Sequence, residues 1–230
     1  WGALSAVERP PTSAGAKGSV RVPCRRLCYS ASWLRALLSE DESCPLPLER
    51  LVLPTPPQSE ARSGWTIEFD ASIFGCGALL KTPDGVISEY FSVVWDEGDV
   101  PPEFEVQLGD TAFQSFWEFC ALLLALCTWG DGFVDTTVAV LGDNTGALQN
   151  ALALRGRGAV LHVARELSWR QARRRWSFKV GHLPSEFNVV ADALPRTADP
   201  KGHAWPSEAL AAAVFRAPPK LRKLWLASPR

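Results

Sequence analysis

Methionine is absent from all 230 residues of the sequence, and residue 1 is a tryptophan. Because an open reading frame begins with methionine, we expect the chain to be part of a longer polypeptide whose missing portion lies upstream. A signal-peptide pattern is absent from the first residues, and long apolar runs are absent throughout. The strongest run, residues 119–129, is too short to cross a bilayer and is typical of a core helix. We therefore expect an intracellular protein that does not bind membranes.

A paired cysteine framework is also lacking, although the chain has six cysteines. Cys24 and Cys28 lie close together, but no second pair of cysteine or histidine residues stands nearby to complete a tetrahedral zinc site. Cys120 and Cys127 are seven residues apart in an apolar stretch, a spacing that favours two buried thiols on one helix face. Free thiols are typical of a reducing compartment.

Net charge is nearly absent as well, at −1, but this average conceals a strong asymmetry. From Asp70 to Asp143 the sequence holds thirteen acidic residues and one basic residue, whereas from Asn144 to His182 it holds eight basic residues and one acidic residue. A protein with carboxylates in one stretch and arginines in the next can bind divalent cations and polyanions together. Two ordinary solvated faces would give the same pattern, and composition alone favours that alternative.

The sequence does contain enough apolar material for one sizeable core. Hydrophobic residues make up 47% of the chain, with 10 Trp and 11 Phe, which excludes a disordered or collagen-like protein. Residues 1–63 are rich in proline, serine and arginine, which predicts an irregular lead-in. Regular periodicity covers residues 64–197. Residues 198–230 are again proline-rich, and they predict an irregular, partly basic tail.

Residues 64–197 alternate between strand and helix patterns. Three strands with short links come first, followed by a helix that Asp110 or Thr111 would cap. Strand patterns cover residues 65–69, 75–80, 86–93, 138–141 and 176–180, and helix patterns cover residues 111–129, 145–154, 159–173 and 188–194. We therefore predict an α/β fold in which a mixed five-stranded sheet, three antiparallel strands and then parallel strands, is flanked by helices.

Two aspartates end predicted strands. Asp70 follows the first strand, and Asp143 follows an apolar run that is typical of a buried parallel strand. If those strands are parallel neighbours, both carboxylates emerge at the carboxyl edge of the sheet, where open α/β sheets usually place their sites. A turn residue at position 70, and a helix cap formed by Asp143 with Asn144, would explain the same residues without a function.

Two further carboxylates are solitary charges in apolar surroundings. Glu118 is the only charged residue between Thr111 and Gly130, and Asp192 stands alone in the apolar run of residues 189–194. Burying such a carboxylate is costly unless it is paired or coordinates a metal. Solvent-facing positions on the two helices would explain each residue alone. Oxygen donors of this kind fit a hard cation, Mg²⁺ or Mn²⁺, better than zinc.

Four segments resemble, in the same chain order, the motifs of the ribonuclease H domain of reverse transcriptases from LTR-type or related retroelements. The segments are residues 69–80 (FDASIFGCGALL), 117–121 (WEFCA), 142–148 (GDNTGAL) and 181–196 (GHLPSEFNVVADALPR). The last segment is the most specific of them, and the resemblance covers residues 64–197. Pro195 replaces the usual serine of that segment, which predicts an early end to the last helix.

The resemblance implies a ribonuclease H-like fold and hydrolysis of the RNA strand of RNA–DNA hybrids. It implies two Mg²⁺ (or Mn²⁺) ions held by four carboxylates, those of Asp70, Glu118, Asp143 and Asp192. His182, on a loop ten residues before Asp192, would assist proton transfer or product release, because the charge of histidine changes near neutral pH.

The hybrid would be held mainly through its phosphates. The candidate phosphate-binding residues are Arg155, Arg157, Arg173, Arg174 and Arg175. They would substitute for the basic protrusion that some cellular ribonucleases H use. Asn144 and Gln149 are candidates for contacting the 2′-hydroxyl, the group that distinguishes RNA from DNA.

Other interpretations remain open at this stage. The polymerase domain of the same polyprotein would lie upstream, and residues 1–63 would then be the end of its polymerase or connection region. A domain of the same fold could bind nucleic acid, or act as a scaffold, without cutting. An integrase or resolvase of the same superfamily is a further alternative, although such enzymes normally show three carboxylates and a different terminal motif.

Overall fold

The computed structural model describes residues 62–133, 136–174, 176–197, 199, 201 and 203–225, together with positions 31, 34 and 35. The predicted lead-in over residues 1–63 therefore lies almost entirely outside the described residues. Arg175, one of the candidate phosphate-binding residues, also lies outside them.

Strands and helices follow one another largely as the sequence predicts. The strands are β1 (Arg62–Ala71), β2 (Gly75–Lys81), β3 (Ile87–Val94), β4 (Thr137–Gly142), β5 (Phe178–His182) and β6 (Val214–Phe215). The α-helices are α1 (Gln114–Trp129), α2 (Thr145–Ala153), α3 (Ala159–Arg174), α4 (Val189–Arg196) and α5 (Ser207–Leu210). Short 3₁₀ turns occupy Glu97–Asp99, Pro102–Phe104, Thr111–Phe113, Gly130–Phe133 and Leu221–Lys223.

The sheet is mixed, with the strand order β5-β4-β1-β2-β3-β6. Strands β1, β2 and β3 form an antiparallel meander, and β4 runs parallel to both β1 and β5. This arrangement confirms the predicted α/β fold, with three antiparallel strands followed by parallel ones, as the resemblance implies. The predicted strand number was one too low, because β6 adds a sixth strand parallel to β3.

Helices cover both faces of the sheet, and the alternation of side chains along the strands explains why. Ile67 and Phe69 of β1 point into the main core against α1, and both are fully buried. Leu79 of β2 belongs to a separate, smaller cluster that contains Ala191 and Leu194 of α4. Apolar side chains of the sheet therefore pack against a layer of helices on each of its two faces.

Helix α1 is the central element of the main core. Asp110 caps the 3₁₀ turn before it, with Oδ1 accepting the Ala112 N–H over 2.8 Å, as the sequence predicts. By length and composition, the stretch Thr111–Phe133 could cross a membrane, but most of its apolar window is buried inside the fold. That position is typical of the core helix of a folded domain.

The predicted irregular tail over residues 198–230 has more structure than expected in its described part. It provides α5 and β6, and its last described residues pack into the main core. Leu221, Leu224 and Trp225 are each at least 90% buried, and the Trp225 Nε1–H donates to the Asp99 carbonyl over 2.6 Å. The segment therefore forms a strap across the domain, which we call the C-terminal strap (residues 221–225).

Candidate metal centre and nucleic-acid surface

The ends of β1 and β4 bring two aspartates together. In the parallel pairing of these strands Glu68 lies opposite Leu141, so Asp70 and Asp143, each two residues further on, leave the sheet at the same edge. Gly142, next to Asp143, leaves room for the Phe69 ring. A Cβ atom at this position would lie 2.6 Å from the ring of the fully buried Phe69.

Helix α1 adds a third carboxylate to this edge. Glu118 lies in the second turn of the helix and, like Asp70, it is at least 95% buried. Each of Asp70, Glu118 and Asp143 offers a carboxylate oxygen that lies within 4.8 Å of the other two. The structure thus brings together three of the four carboxylates that the sequence singles out.

The three carboxylates repel one another strongly. Burial, and then the negative charges of Asp143 and Asp192, raise the pKa of Asp70 to about 8. The pKa of Glu118 is raised well above its usual value by burial and by the charge of Asp70, and a hydrogen bond from Gln114 acts in the opposite direction. At neutral pH the repulsion between the three carboxylates is therefore relieved either by a bound proton or by a bound cation.

The donor set fits a divalent metal ion. Glu118 Oε2 is buried and has no hydrogen-bond partner within the described part of the chain, so one carboxylate oxygen of the cluster is left without a donor. All three residues of the cluster offer carboxylate oxygens, which suit Mg²⁺ and Mn²⁺ rather than zinc. Asp70, Glu118 and Asp143 are therefore the residues that could hold such an ion.

The fourth carboxylate, Asp192, is near the cluster but engaged elsewhere. It lies in the first turn of α4 and is close enough to raise the pKa of Asp70. Its Oδ1 accepts from Arg196 Nη2 at 2.6 Å and from Nε at 2.8 Å, an ion pair one helical turn apart. Helix α4 ends at Arg196, one residue beyond Pro195, so Pro195 leaves this pair intact.

His182 lies beside the cluster, but not on a loop as predicted. It is the last residue of β5, where it pairs with Gly142 immediately before Asp143, and its side chain is exposed. The ladder continues for one more hydrogen bond, from the Leu183 N–H to the Gly142 carbonyl over 2.9 Å. The strand pairing therefore places residue 182 at the sheet edge from which Asp143 emerges.

Sequence reasoning missed three polar residues that hold the site together. Ser185 Oγ donates to Asp143 Oδ2 over 2.8 Å. Asn188 is fully buried, and its Nδ2 donates to the Phe69 carbonyl over 3.1 Å, which fixes the start of α4 against the strand that carries Asp70. Gln114 donates to Glu118. Ser185 and Asn188 had a signal, since the closing motif of residues 181–196 includes both.

The candidates for contacting the hybrid lie on and after α2. Asn144 caps α2 through its Oδ1, which accepts the Ala147 N–H over 3.0 Å, and Gln149 is exposed on the same helix. Arg155 and Arg157 are exposed on the following loop. The wall of a cavity of about 580 Å³ there consists of Asn150, Arg155, Gly156, Arg157 and Val160. Two guanidinium groups at an open cavity suit a polyanion.

The other arginine candidates differ from this pair. Arg173 is 97% buried, with its guanidinium 5.2 Å from the centre of the Trp169 ring. This burial contradicts the prediction that it binds phosphate at the surface, because α3 turns that side chain inward. Arg174 is partly exposed and forms a 2.8 Å ion pair with Asp131. Exposed ion pairs contribute little to the free energy of folding, so Arg174 could exchange Asp131 for a phosphate group at low cost.

Comparisons with known proteins give structural matches only. No family model and no curated protein matches the chain. The chain is similar to the structure of RNase H1 from the halophilic archaeon Halobacterium salinarum NRC-1, with 22% identity and a TM-score of 0.43 over 58% of this chain and 96% of that one. It is also similar to LC11-RNase H1 in complex with RNA/DNA hybrid, with 20% identity and a TM-score of 0.45 over 60% of this chain and 97% of that one. What this chain does chemically depends on its own side chains.

Proposed function

We propose that this chain hydrolyses the RNA strand of RNA–DNA hybrids, using divalent metal ions. The observation that carries the proposal is the convergence of Asp70, Glu118 and Asp143, two of them almost fully buried, within 4.8 Å of one another. Such an arrangement raises the free energy of the metal-free protein at neutral pH, which a purely structural role does not require. The sequence motifs around these residues support hybrid RNA as the substrate.

Each carboxylate has a distinct part in this proposal. Asp70, Glu118 and Asp143 would hold one ion directly, and Asp192 would contribute once it exchanges Arg196 for a second ion. When bound, Mg²⁺ ions would lower the pKa of the attacking water and stabilise the charge on the leaving 3′ oxygen. The water oxygen forms a bond to phosphorus as the bond to the 3′ oxygen breaks, which leaves a 5′-phosphate and a 3′-hydroxyl.

His182 is suited to moving the proton that this reaction releases. It stands at the end of β5 next to Gly142, so it borders the carboxylates without being one of the group of three. Its exposure allows exchange with bulk water, and histidine changes its charge near neutral pH.

Recognition of the hybrid would come from α2 and the loop after it. The Oδ1 of Asn144 is used in capping, so its amide nitrogen is the group that would donate to a 2′-hydroxyl, with Gln149 about one and a half turns further along. Arg155 and Arg157 would bind phosphates, and Arg174 would add a weaker contact. Asp143 of the acidic centre directly follows β4, and this basic surface consists of the next helix, α2, and the loop after it.

The test offers the purified 230-residue chain three substrates with Mg²⁺: an RNA–DNA hybrid, duplex DNA and single-stranded RNA. We expect cleavage of the hybrid alone, lost on chelation and reduced by roughly a hundredfold or more in Asp143→Asn. Asp84→Asn is the matched control, since Asp84 is exposed in the turn between β2 and β3.

Other outcomes would favour a different class of function. Hybrid binding without cleavage in the unmodified chain would indicate a nucleic-acid-binding or scaffold domain. Cleavage of duplex DNA would indicate an integrase-type or resolvase-type nuclease. Equal loss of activity in Asp84→Asn and Asp143→Asn would contradict a specific role for the metal centre.

We also propose that the domain works in a retroelement polyprotein, downstream of a reverse transcriptase polymerase. The closing motif of residues 181–196 supports this context. A polymerase that copies RNA into DNA produces the hybrid that this domain would consume. Expression of the gene with its upstream coding region should then give a single polypeptide that both extends a primer on RNA and degrades the template. Two separate gene products would contradict this context.

A further inference from the structure

Gln114 connects helix α1 to the end of strand β1. It lies one helical turn before Glu118, and its Nε2 donates to Glu118 Oε1 over 3.0 Å. The same nitrogen donates to the backbone carbonyl of Ala71 over 2.6 Å. Ala71 directly follows Asp70, so a single amide ties together the two elements that supply the two most buried carboxylates of the metal centre.

The chemistry of the two partners fixes the orientation of this amide. A backbone carbonyl and a carboxylate are both acceptors, so only the NH₂ end of Gln114 satisfies them, and each of its two hydrogens has a partner. A flipped amide would place its own oxygen against two other oxygens. The two acceptors therefore permit only one of the two orientations of the Gln114 amide.

This arrangement gives the two oxygens of Glu118 different tasks. Oε1 is held by Gln114, whereas Oε2 is buried and has no hydrogen-bond partner among the described residues. A carboxylate with one fixed oxygen cannot rotate freely, so the group is kept at the position where it lies close to Asp70 and Asp143. Groups that orient a metal ligand in this way commonly contribute about tenfold or more to metal affinity.

We propose that Gln114 is a positioning residue for metal binding, acting through Glu118 and the end of β1. The inference rests on the proposed function, since it concerns the same metal centre. It assigns Gln114 no contact with the reacting atoms. It differs from a role in holding the hybrid, which would leave metal affinity in the free protein unchanged.

The experiment measures Mn²⁺ binding to the full 230-residue chain by calorimetry, without nucleic acid, and hybrid cleavage kinetics separately. Gln114→Met keeps the length of the side chain and removes both donors. Gln107→Met makes the same change at an exposed position in the loop before α1. We expect the Kd for Mn²⁺ to rise about tenfold in Gln114→Met and to stay unchanged in Gln107→Met. Saturating Mn²⁺ should restore part of kcat, with the KM for the hybrid unchanged.

Gln114→Asn provides a second test in case the apolar variant unfolds. It keeps an amide, but it is one methylene too short to reach both acceptors, so we expect weaker Mn²⁺ binding there too. An unchanged Kd for Mn²⁺ in either folded variant overturns the inference, and a raised KM for the hybrid would then assign Gln114 to substrate contact. Failure of the proposed function looks different, since the unmodified chain would then bind no Mn²⁺ or cut no hybrid.

Discussion

Arg196 holds Asp192 from one turn further along α4, with two guanidinium nitrogens within 2.8 Å of one carboxylate oxygen. The other three carboxylates of the site have no such counter-charge at this distance within the described part of the chain. The positive charge also reaches Asp70, whose pKa it lowers against the larger effects of burial and of Asp143. Arg196 therefore partly neutralises the site in the absence of a cation.

Replacing Arg196 with glutamine should tighten cation binding. Removal of one positive charge favours an added divalent ion by roughly 1 kcal/mol near a protein surface, or about fivefold in Kd. Calorimetric titration with Mn²⁺ checks this value. Arg174→Gln is the matched control, because it breaks another arginine–aspartate pair of 2.8 Å, with Asp131. Equal Mn²⁺ affinities in the two variants would contradict the role of Arg196.

Stability without metal should fall as the pH rises. The pKa of Asp70 lies near the ordinary aspartate value of 3.8 in the unfolded chain, whereas in the fold it is raised to about 8. Between these values the folded state binds the extra proton, so the free energy of unfolding decreases with increasing pH. With a chelator present, Tm should drop by at least about 2–4 °C from about pH 5 to about pH 8.5, the effect of about 1 kcal/mol in a chain of this size.

Mg²⁺ should reverse that loss, and more strongly at high pH. The ion competes with the proton on Asp70, so its binding stabilises the fold most where the carboxylates would otherwise be ionised and unpaired. Thermal unfolding at both pH values, with chelator or with a series of Mg²⁺ concentrations, measures the effect. In Asp143→Asn the metal-free Tm should be higher at the upper pH and should respond little to Mg²⁺. A Tm equally sensitive to Mg²⁺ in this variant would argue against the site.

The loop after α2 should control hybrid affinity through salt. If Arg155 and Arg157 each contact a phosphate, replacing both with glutamine should raise the KM for the hybrid and lower the salt slope by about 2. Cleavage at several salt concentrations gives this slope. Arg222→Gln removes a charge of the same kind at an exposed position in the C-terminal strap and should leave the slope unchanged. A slope that is equally altered by Arg222→Gln would point to overall charge instead.

The C-terminal strap should be part of the folding unit. Trp225 is 93% buried against Phe104 and Phe116, and its indole nitrogen donates to the carbonyl of Asp99. Trp225→Ala should lower the free energy of unfolding by about 3–5 kcal/mol, the usual cost of emptying such a site. Urea denaturation measures it, and Trp205→Ala, at a more exposed tryptophan, should cost much less. Similar losses in both variants would contradict the packing of the strap.

Periodicity was sufficient to predict most of the fold, because long strands and helices carry a repeated pattern. The position of Asp70 and Asp143 at one sheet edge could also be predicted, because neighbouring parallel strands end at the same edge. Strand β6 has two residues and α5 has four, so neither shows a period that a sequence can reveal. Their positions depend on packing against β3 and α4, which only the folded chain contains.

Side-chain direction was the other limit. Arg173 belongs to a run of arginines that is typical of a surface, but the pitch of α3 turns it toward Trp169. The hydrogen bond of Ser185 to Asp143 joins residues that are 42 positions apart, and no local pattern in the sequence predicts such a contact. The Gln114–Glu118 hydrogen bond and the Asp192–Arg196 ion pair are different, since residues four apart on a helix are always neighbours.

Gly142 contributes no functional group, yet the spacing of the whole site depends on it. The Phe69 ring occupies the volume that a methyl group would need, so alanine at position 142 would force a shift of this buried ring or of the strands that carry the two residues. Asp70 directly follows Phe69 and Asp143 directly follows Gly142, so such a shift would change the distance between the two carboxylates. The absence of a side chain at position 142 thus helps to keep two carboxylates close enough to bind one ion.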